Sequence, residues 1–129
     1  MKDFVVWMDH QNAHVFALKT GGAEKSVVKN KTKNSLAQNK HDPKIDGNAE
    51  HYYKDLAKQL MGADHILLMG PGLAKKHLQN HLNEHQAKTL AKKIIGLENF
   101  ESFEHKTEKQ MLAKAGKFFK SYEHLVSSI

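Results

Sequence analysis

Four groups of residues in this chain have the types and spacing that chemistry needs. The first is "LLMGPGLAKKHL" (67–78), where an apolar run ends at Gly70-Pro71-Gly72 and a lysine-bearing helical pattern follows. A glycine turn from strand to helix presents the first N–H groups of the helix, and Gly70, Gly72 and Lys75 could together hold an anion there. The stretch has neither the phosphate-loop pattern G-x-x-x-x-G-K-[ST] nor G-x-G-x-x-G, and Pro71 removes a donor. The alternative is a plain tight turn. The second group is His77, His81 and His85, spaced by four on one helix face. Two such imidazoles could bind zinc, but "HLQNHLNEH" lacks the glutamate placement of H-E-x-x-H. Beside Leu78 and Leu82, these histidines read as the flank of an amphipathic helix, and no metal site is assigned to them. The third group is acidic. Asp9 and Glu98 close the first and last apolar runs, where nucleases of the ribonuclease H type gather metal-binding carboxylates. Asp46, Glu50 and Asp64 are further acids, yet nothing in their spacing converges, and Asp9 reads as a turn former. No G-x-S-x-G nucleophile elbow occurs. No catalytic residue and no cofactor are expected.

The fourth group is basic. Of the net charge of +6, an excess of five lies between Lys19 and Lys44, where seven lysines face Glu24 and Asp42. Such a field suits RNA, a ribosomal surface or another polyanion. The contacts expected are Lys29, Lys31, Lys33, Lys40 and Lys44. All twenty basic residues are lysine, so bidentate guanidinium recognition is ruled out, and no DNA specificity is expected.

The elements that position these groups follow from the pattern. "FVVWMD" (4–9) reads as a strand buried on both faces, "AHVFALK" (13–19) as its partner, and "KSVVKN" (25–30) as a third strand after the glycine turn in "TGGAEK". Residues 31–47 lack periodicity and carry Asn, Pro, Gly and Lys, which marks a long loop; the basic loop spans about 29–47. From Asn48 the spacing of Tyr52, Leu56 and Leu60 predicts a helix that Gly62 stops. "DHILLMG" (64–70) predicts a strand, 73–86 a helix, "KKIIGLEN" (92–99) a strand, and 107–122 a helix with Met111, Ala115, Phe118 and Tyr122 on one side. The order βββαβαβα predicts one α/β domain over 1–129, with a mixed sheet of about five strands and helices on its faces. At 129 residues the chain can bury a sizeable core. Its lack of cysteine excludes disulfides and thiolate chemistry. The short apolar runs predict no membrane span, and the N-terminus reads as a strand, not a signal peptide, so a cytoplasmic location is expected.

With those elements in place, "VVWMDHQNAHVFAL" (5–18), "LMGADHILLMGPGLAKKHLQNHL" (60–82) and "LAKKIIGLEN" (90–99) carry a resemblance. In that order the sequence resembles the middle domain of eukaryotic and archaeal class I peptide-chain release factors and their Pelota relatives. It also resembles the small stand-alone bacterial proteins called translational machinery proteins. The resemblance implies a three-layer α/β/α arrangement of the ribonuclease H-like kind, and ribosome, rRNA or tRNA as partners. It also implies where termination chemistry would sit, since the release factors depend on Gly-Gly-Gln in the loop between the third strand and the first helix. That tripeptide is missing here. Gly21-Gly22 precedes Ala23 in the earlier hairpin, and Gln38 follows Leu36-Ala37. A non-catalytic, ribosome- or RNA-associated accessory protein is therefore the expected function. The alternatives are a metal-dependent nuclease or peptidyl-tRNA hydrolase-like enzyme, and a protein-interaction module such as a homodimer built on the histidine-bearing helix or an open sheet edge.

Overall fold

A computed structural model of the chain describes residues 2–19, 22–30, 50–86, 88–100 and 108–127. Strand β1 (Asp3–Met8) is buried from Phe4 onward, as its unbroken apolar run requires of a strand covered on both faces. It pairs antiparallel with β2 (Asn12–Lys19), which pairs antiparallel with β3 (Gly22–Lys29). Helix α1 (Glu50–Gln59) carries the chain back, and β4 (His65–Met69) joins β1 in parallel. Helix α2 (Ala74–His85) and a short 3₁₀ turn (Ala91–Lys93) lead to β5 (Ile94–Glu98), parallel to β4. Helix α3 (Glu108–Ser127) ends the described chain. The sheet is mixed, with five strands in the order β3-β2-β1-β4-β5.

Alternation along β1 divides the core in two. Phe4, Val6 and Met8 join Ile66 and Leu68 of β4 under Tyr52, Leu56 and Leu60 on one side and Leu78 and Leu82 on α2. Val5 and Trp7 face the other way, with Phe16, Leu67 and Met69, and are covered by Met111, Ala115 and Phe119 of α3. The layering is thus two helices, sheet, one helix, and each fully buried large side chain contributes about 1.5–3 kcal/mol of transfer free energy. Gly96 shapes the second interface. A Cβ there would lie 2.4 Å from the Phe118 ring, so the missing side chain is what lets α3 sit down on β5. One extra residue, Ile95, is accommodated in the β4–β5 ladder beside it.

The expected elements are present, with three boundaries moved. The β2–β3 ladder continues to Lys19↔Gly22, so β3 starts three residues before the predicted 25. Backbone pairing there overrides the low strand propensity of Gly22-Ala23-Glu24. Lys92 and Lys93 belong to the 3₁₀ turn, whose closing bond from Lys93 N to Leu90 O holds Leu90 in the core. The last helix extends past 122 to Ser127. Among the described residues no helix is long and apolar enough to cross a membrane.

Candidate functional site

The three parallel strands all run toward one end of the sheet, where open α/β sheets usually bind ligands. Met8, Met69 and Glu98 are their last residues. Antiparallel pairing brings the start of β2 and the end of β3 to the same end, with Asn12 opposite Lys29.

The turn after β1 organises this end. Asp9 Oδ1 accepts from the backbone N–H of Gln11 (2.8 Å) and of Asn12 (2.7 Å), which fixes the turn. Its three successive carbonyls then each accept one bond: Asp9 O from the Tyr52 hydroxyl (2.9 Å), His10 O from Asn30 Nδ2 (2.9 Å), and Gln11 O from Asn30 N (2.8 Å). Burial, with help from Asp9, pushes the Tyr52 hydroxyl far above the usual tyrosine range, so it remains a donor at any physiological pH. The stretch 31–49 is therefore entered at Asn30 and left at α1 from the same turn. Lys29 is exposed at its start. Lys31, Lys33, Lys40 and Lys44, with Gln38 and Asp46, lie outside the described residues.

Gly70-Pro71-Gly72 is built as a close crossing. Gly70 has φ +135°, and a Cβ on it would fall 2.0 Å from Met8 O, so only glycine passes the end of β1 here. The turn is clasped from below by Lys75, which is 7% exposed. Its Nζ donates to Gly70 O (2.9 Å), Gly72 O (2.8 Å) and Asn99 Oδ1 (2.9 Å). Those bonds use all three N–H donors of an ammonium. Gly70 N donates to Glu98 O and Pro71 has no N–H, so an anion at this turn would meet the Gly72 N–H, the Lys75 donors being already engaged. Burial holds the Lys75 pKa below its ordinary value. From the opposite face of the sheet, Lys114 Nζ donates to Asn99 O at 3.0 Å and lies over the Phe100 ring. Asn99 thereby links helices on both faces to the end of β5.

The described carboxylates do not gather into a metal-binding set. Asp64 sits at the far end of the sheet, where its Oδ2 accepts from Lys2 N (2.6 Å) and where the bond from Lys2 holds its pKa below the usual range. Asp9 is separated from it by the length of β1, roughly 20 Å. Glu50 lines a cavity of about 240 Å³ with Tyr53, His77, His81 and Glu84. Among the described residues no group of three or more histidines or acids is placed to hold a metal ion.

The three histidines of α2 have different surroundings. His81 is buried against Tyr53 (ring centroids 5.4 Å apart), deeper than a flank position implies, and burial followed by the neighbouring His85 lowers its pKa. His85 lies 4.5 Å from the His81 ring. His77 turns away toward the β1–β2 turn, where its Nδ1 is 3.4 Å from Nε2 of His10. The sequence reading gave no role to His10, Tyr52, Asn99 or Lys114. The signal that could have found His10 is its place just after β1, beside the turn that starts α2, because β1 and β4 are adjacent parallel strands.

No protein-family model matches the sequence, and no curated protein matches it significantly. Solved structures do align with it. Pelota from Thermoplasma acidophilum matches at 17% identity and a TM-score of 0.53, over 79% of this chain and 28% of that one. Pelota from Archaeoglobus fulgidus matches at 12% identity and a TM-score of 0.56, over 98% of this chain and 39% of that one. An archaeal translation termination factor aligns at 16% identity and a TM-score of 0.47, over 98% of this chain and 41% of that one. The chain spans well under half the length of these proteins, and what it shares with the two Pelota structures is the fold of one segment of each.

Proposed function

We propose that this chain is a non-catalytic accessory protein of the translation machinery that docks the carboxyl end of its sheet on rRNA or tRNA at the ribosome. One observation carries the reading. The stretch that carries Lys31, Lys33, Lys40 and Lys44 lies between Asn30 and Tyr52, which are both bonded to the turn 9–11, on the end of the sheet where α/β proteins bind. The Pelota-like fold supports a translation context. In this reading Lys29, Lys31, Lys33, Lys40 and Lys44 are point charges facing phosphates, which gives salt-steep and weakly sequence-specific binding. The ribonuclease H-like classification, the single-domain organisation over 1–129, the stand-alone form and a cytoplasmic location belong to the same proposal. The backbone N–H of Gly72, just before α2, is a secondary phosphate contact within it, together with the neighbouring Gly70 and Lys75 that shape the turn. An acid-based nuclease is disfavoured, because Asp9 is engaged in its own turn and Asp64 is at the far end of the sheet.

Sedimentation of the chain with ribosomes at low and high salt tests this. Co-migration at low salt that high salt strips is expected. Replacing Lys29, Lys31 and Lys33 by Gln should flatten the slope of log K against log salt by roughly 2–3. Unchanged affinity at low salt after that replacement would overturn the proposal.

A further inference from the structure

We propose that His10 and His77 form a two-histidine site for a transition-metal dication of the zinc, nickel or copper class. The pair stands on a different observation from the proposed function and does not depend on it. His10 Nε2 and His77 Nδ1 are 3.4 Å apart, with ring centroids at 5.4 Å and planes inclined by 53°. That separation is longer than the roughly 2.7–3.2 Å of a good hydrogen bond with a nitrogen donor. It matches the spacing of two nitrogens on one tetrahedral metal: zinc–nitrogen bonds of about 2.0–2.1 Å give a ligand-to-ligand edge of about 3.3–3.4 Å. The rings are tilted and meet nitrogen to nitrogen, as two ligands of one ion do.

Both side chains stand on fixed backbone, which lowers the ordering cost of binding. The backbone of His10 is held by the Asp9 carboxylate on one side and by Asn30 Nδ2 on its own carbonyl. His77 belongs to the first turns of α2, which is anchored in the core by Ala74, Leu78 and Leu82. His10 is exposed and His77 half-buried, so an ion can enter and keep water in its other positions. Beyond His77 lies the cavity of about 240 Å³ lined by Glu50 of α1 and Glu84 of α2. Those carboxylates supply a favourable field without being ligands, as the absence of a three-ligand set among the described residues requires. In the metal-free pair one ring nitrogen carries the proton between the rings. On binding, that proton moves to the other nitrogen of the same ring, so both facing lone pairs become available.

The ligand chemistry fixes the selectivity. Neutral imidazole favours copper, nickel and zinc in the order Cu²⁺ > Ni²⁺ ≈ Zn²⁺ > Co²⁺ > Mn²⁺, while Mg²⁺ and Ca²⁺ prefer oxygen and are not retained. A bound ion would tie the start of α2 to the turn whose carbonyls hold Asn30 and Tyr52.

The experiment uses the full chain without an affinity tag. Zn²⁺ and Ni²⁺ are titrated at pH 7.5 by calorimetry, and imidazole nitrogen resonances are followed in parallel. One saturable equivalent is expected, with the largest shifts on His10 Nε2 and His77 Nδ1 and none with Mg²⁺. His10→Ala and His77→Ala should each weaken binding by about tenfold or more, while His85→Ala changes it less than about twofold. The resonances of the unmodified chain identify the ligands directly, so an unstable variant leaves the test intact. Absence of saturable binding up to millimolar Zn²⁺ would overturn the proposal. So would binding that survives in both variants, or shifts centred on His81 and His85.

Discussion

Lys75 and Lys76 are neighbours with opposite circumstances, and exchanging each for methionine separates a structural lysine from a solvated one. Methionine keeps most of the aliphatic stem and removes the ammonium. At position 75 this deletes three charge-assisted hydrogen bonds, to Gly70 O, Gly72 O and Asn99 Oδ1. At about 1.5–3 kcal/mol each, their loss is bounded by roughly 4–9 kcal/mol. Two effects reduce that bound. The buried ammonium already bears a desolvation cost, visible in its lowered pKa, and the exposed Gly72 recovers water. A net loss of about 3–5 kcal/mol remains, a large fraction of the 5–15 kcal/mol typical of a domain. In urea the midpoint should fall by roughly 1.5–3 M, with an unchanged slope. Lys76→Met, at an exposed position, should stay within about 0.5 kcal/mol. Under conditions where both variants are folded, their affinities for ribosomal RNA should agree. A midpoint shift below about 0.5 M for Lys75→Met would refute the clasp. Selective loss of RNA affinity at position 75, with stability intact, would return the ammonium to anion binding.

Gly70→Ala, which sets a Cβ against Met8 O at φ +135°, should cost more than about 3 kcal/mol in thermal or urea unfolding. Gly96→Ala should cost about 1–2 kcal/mol, because the half-exposed Phe118 ring can swing aside, and a double-mutant cycle with Phe118→Leu should recover at least about 0.5 kcal/mol of that. Stability should also fall as pH drops below the ordinary histidine value of 6.5. The pKa values of His14 and His81 are both lowered in the fold, chiefly by burial, so the unfolded chain binds more protons in that window. Urea midpoints from pH 8 to 5 check this, and the slope should shrink in His81→Asn.

The sheet was legible because its determinants are local. "FVVWM" has no polar residue to turn toward water, so a strand buried on both faces was the only economical reading, and the four-residue spacing of Tyr52, Leu56 and Leu60 fixed a helix face in the same way. The site was less legible because its contacts join distant parts of the chain. Nothing in "AKKHL" distinguishes Lys75 from Lys76; the difference arises when Asn99 arrives beneath the turn, 24 residues later. His10 and His77 are 67 residues apart and meet only because β1 and β4 are adjacent and parallel. The misplaced start of β3 has the same origin, since a ladder partner and not side-chain preference decides whether Gly22 is strand.

The turn 9–11 also behaves as a socket. Its three carbonyls secure the residue before the stretch 31–49 and a residue in the first turn of the helix after it, and among the described residues Val28 of β3 joins Tyr52, Tyr53, Leu56 and Ala57 of α1 in one core cluster. A cartridge fixed at both contacts can be exchanged at little thermodynamic expense, because each doubling of a loop's length costs only about 0.6 kcal/mol. Replacing 31–47 with a short Gly/Ser linker should therefore leave a folded, soluble scaffold. That scaffold would be a mount for grafted peptides, and the natural insert could be studied by transplanting it onto a relative of the same fold.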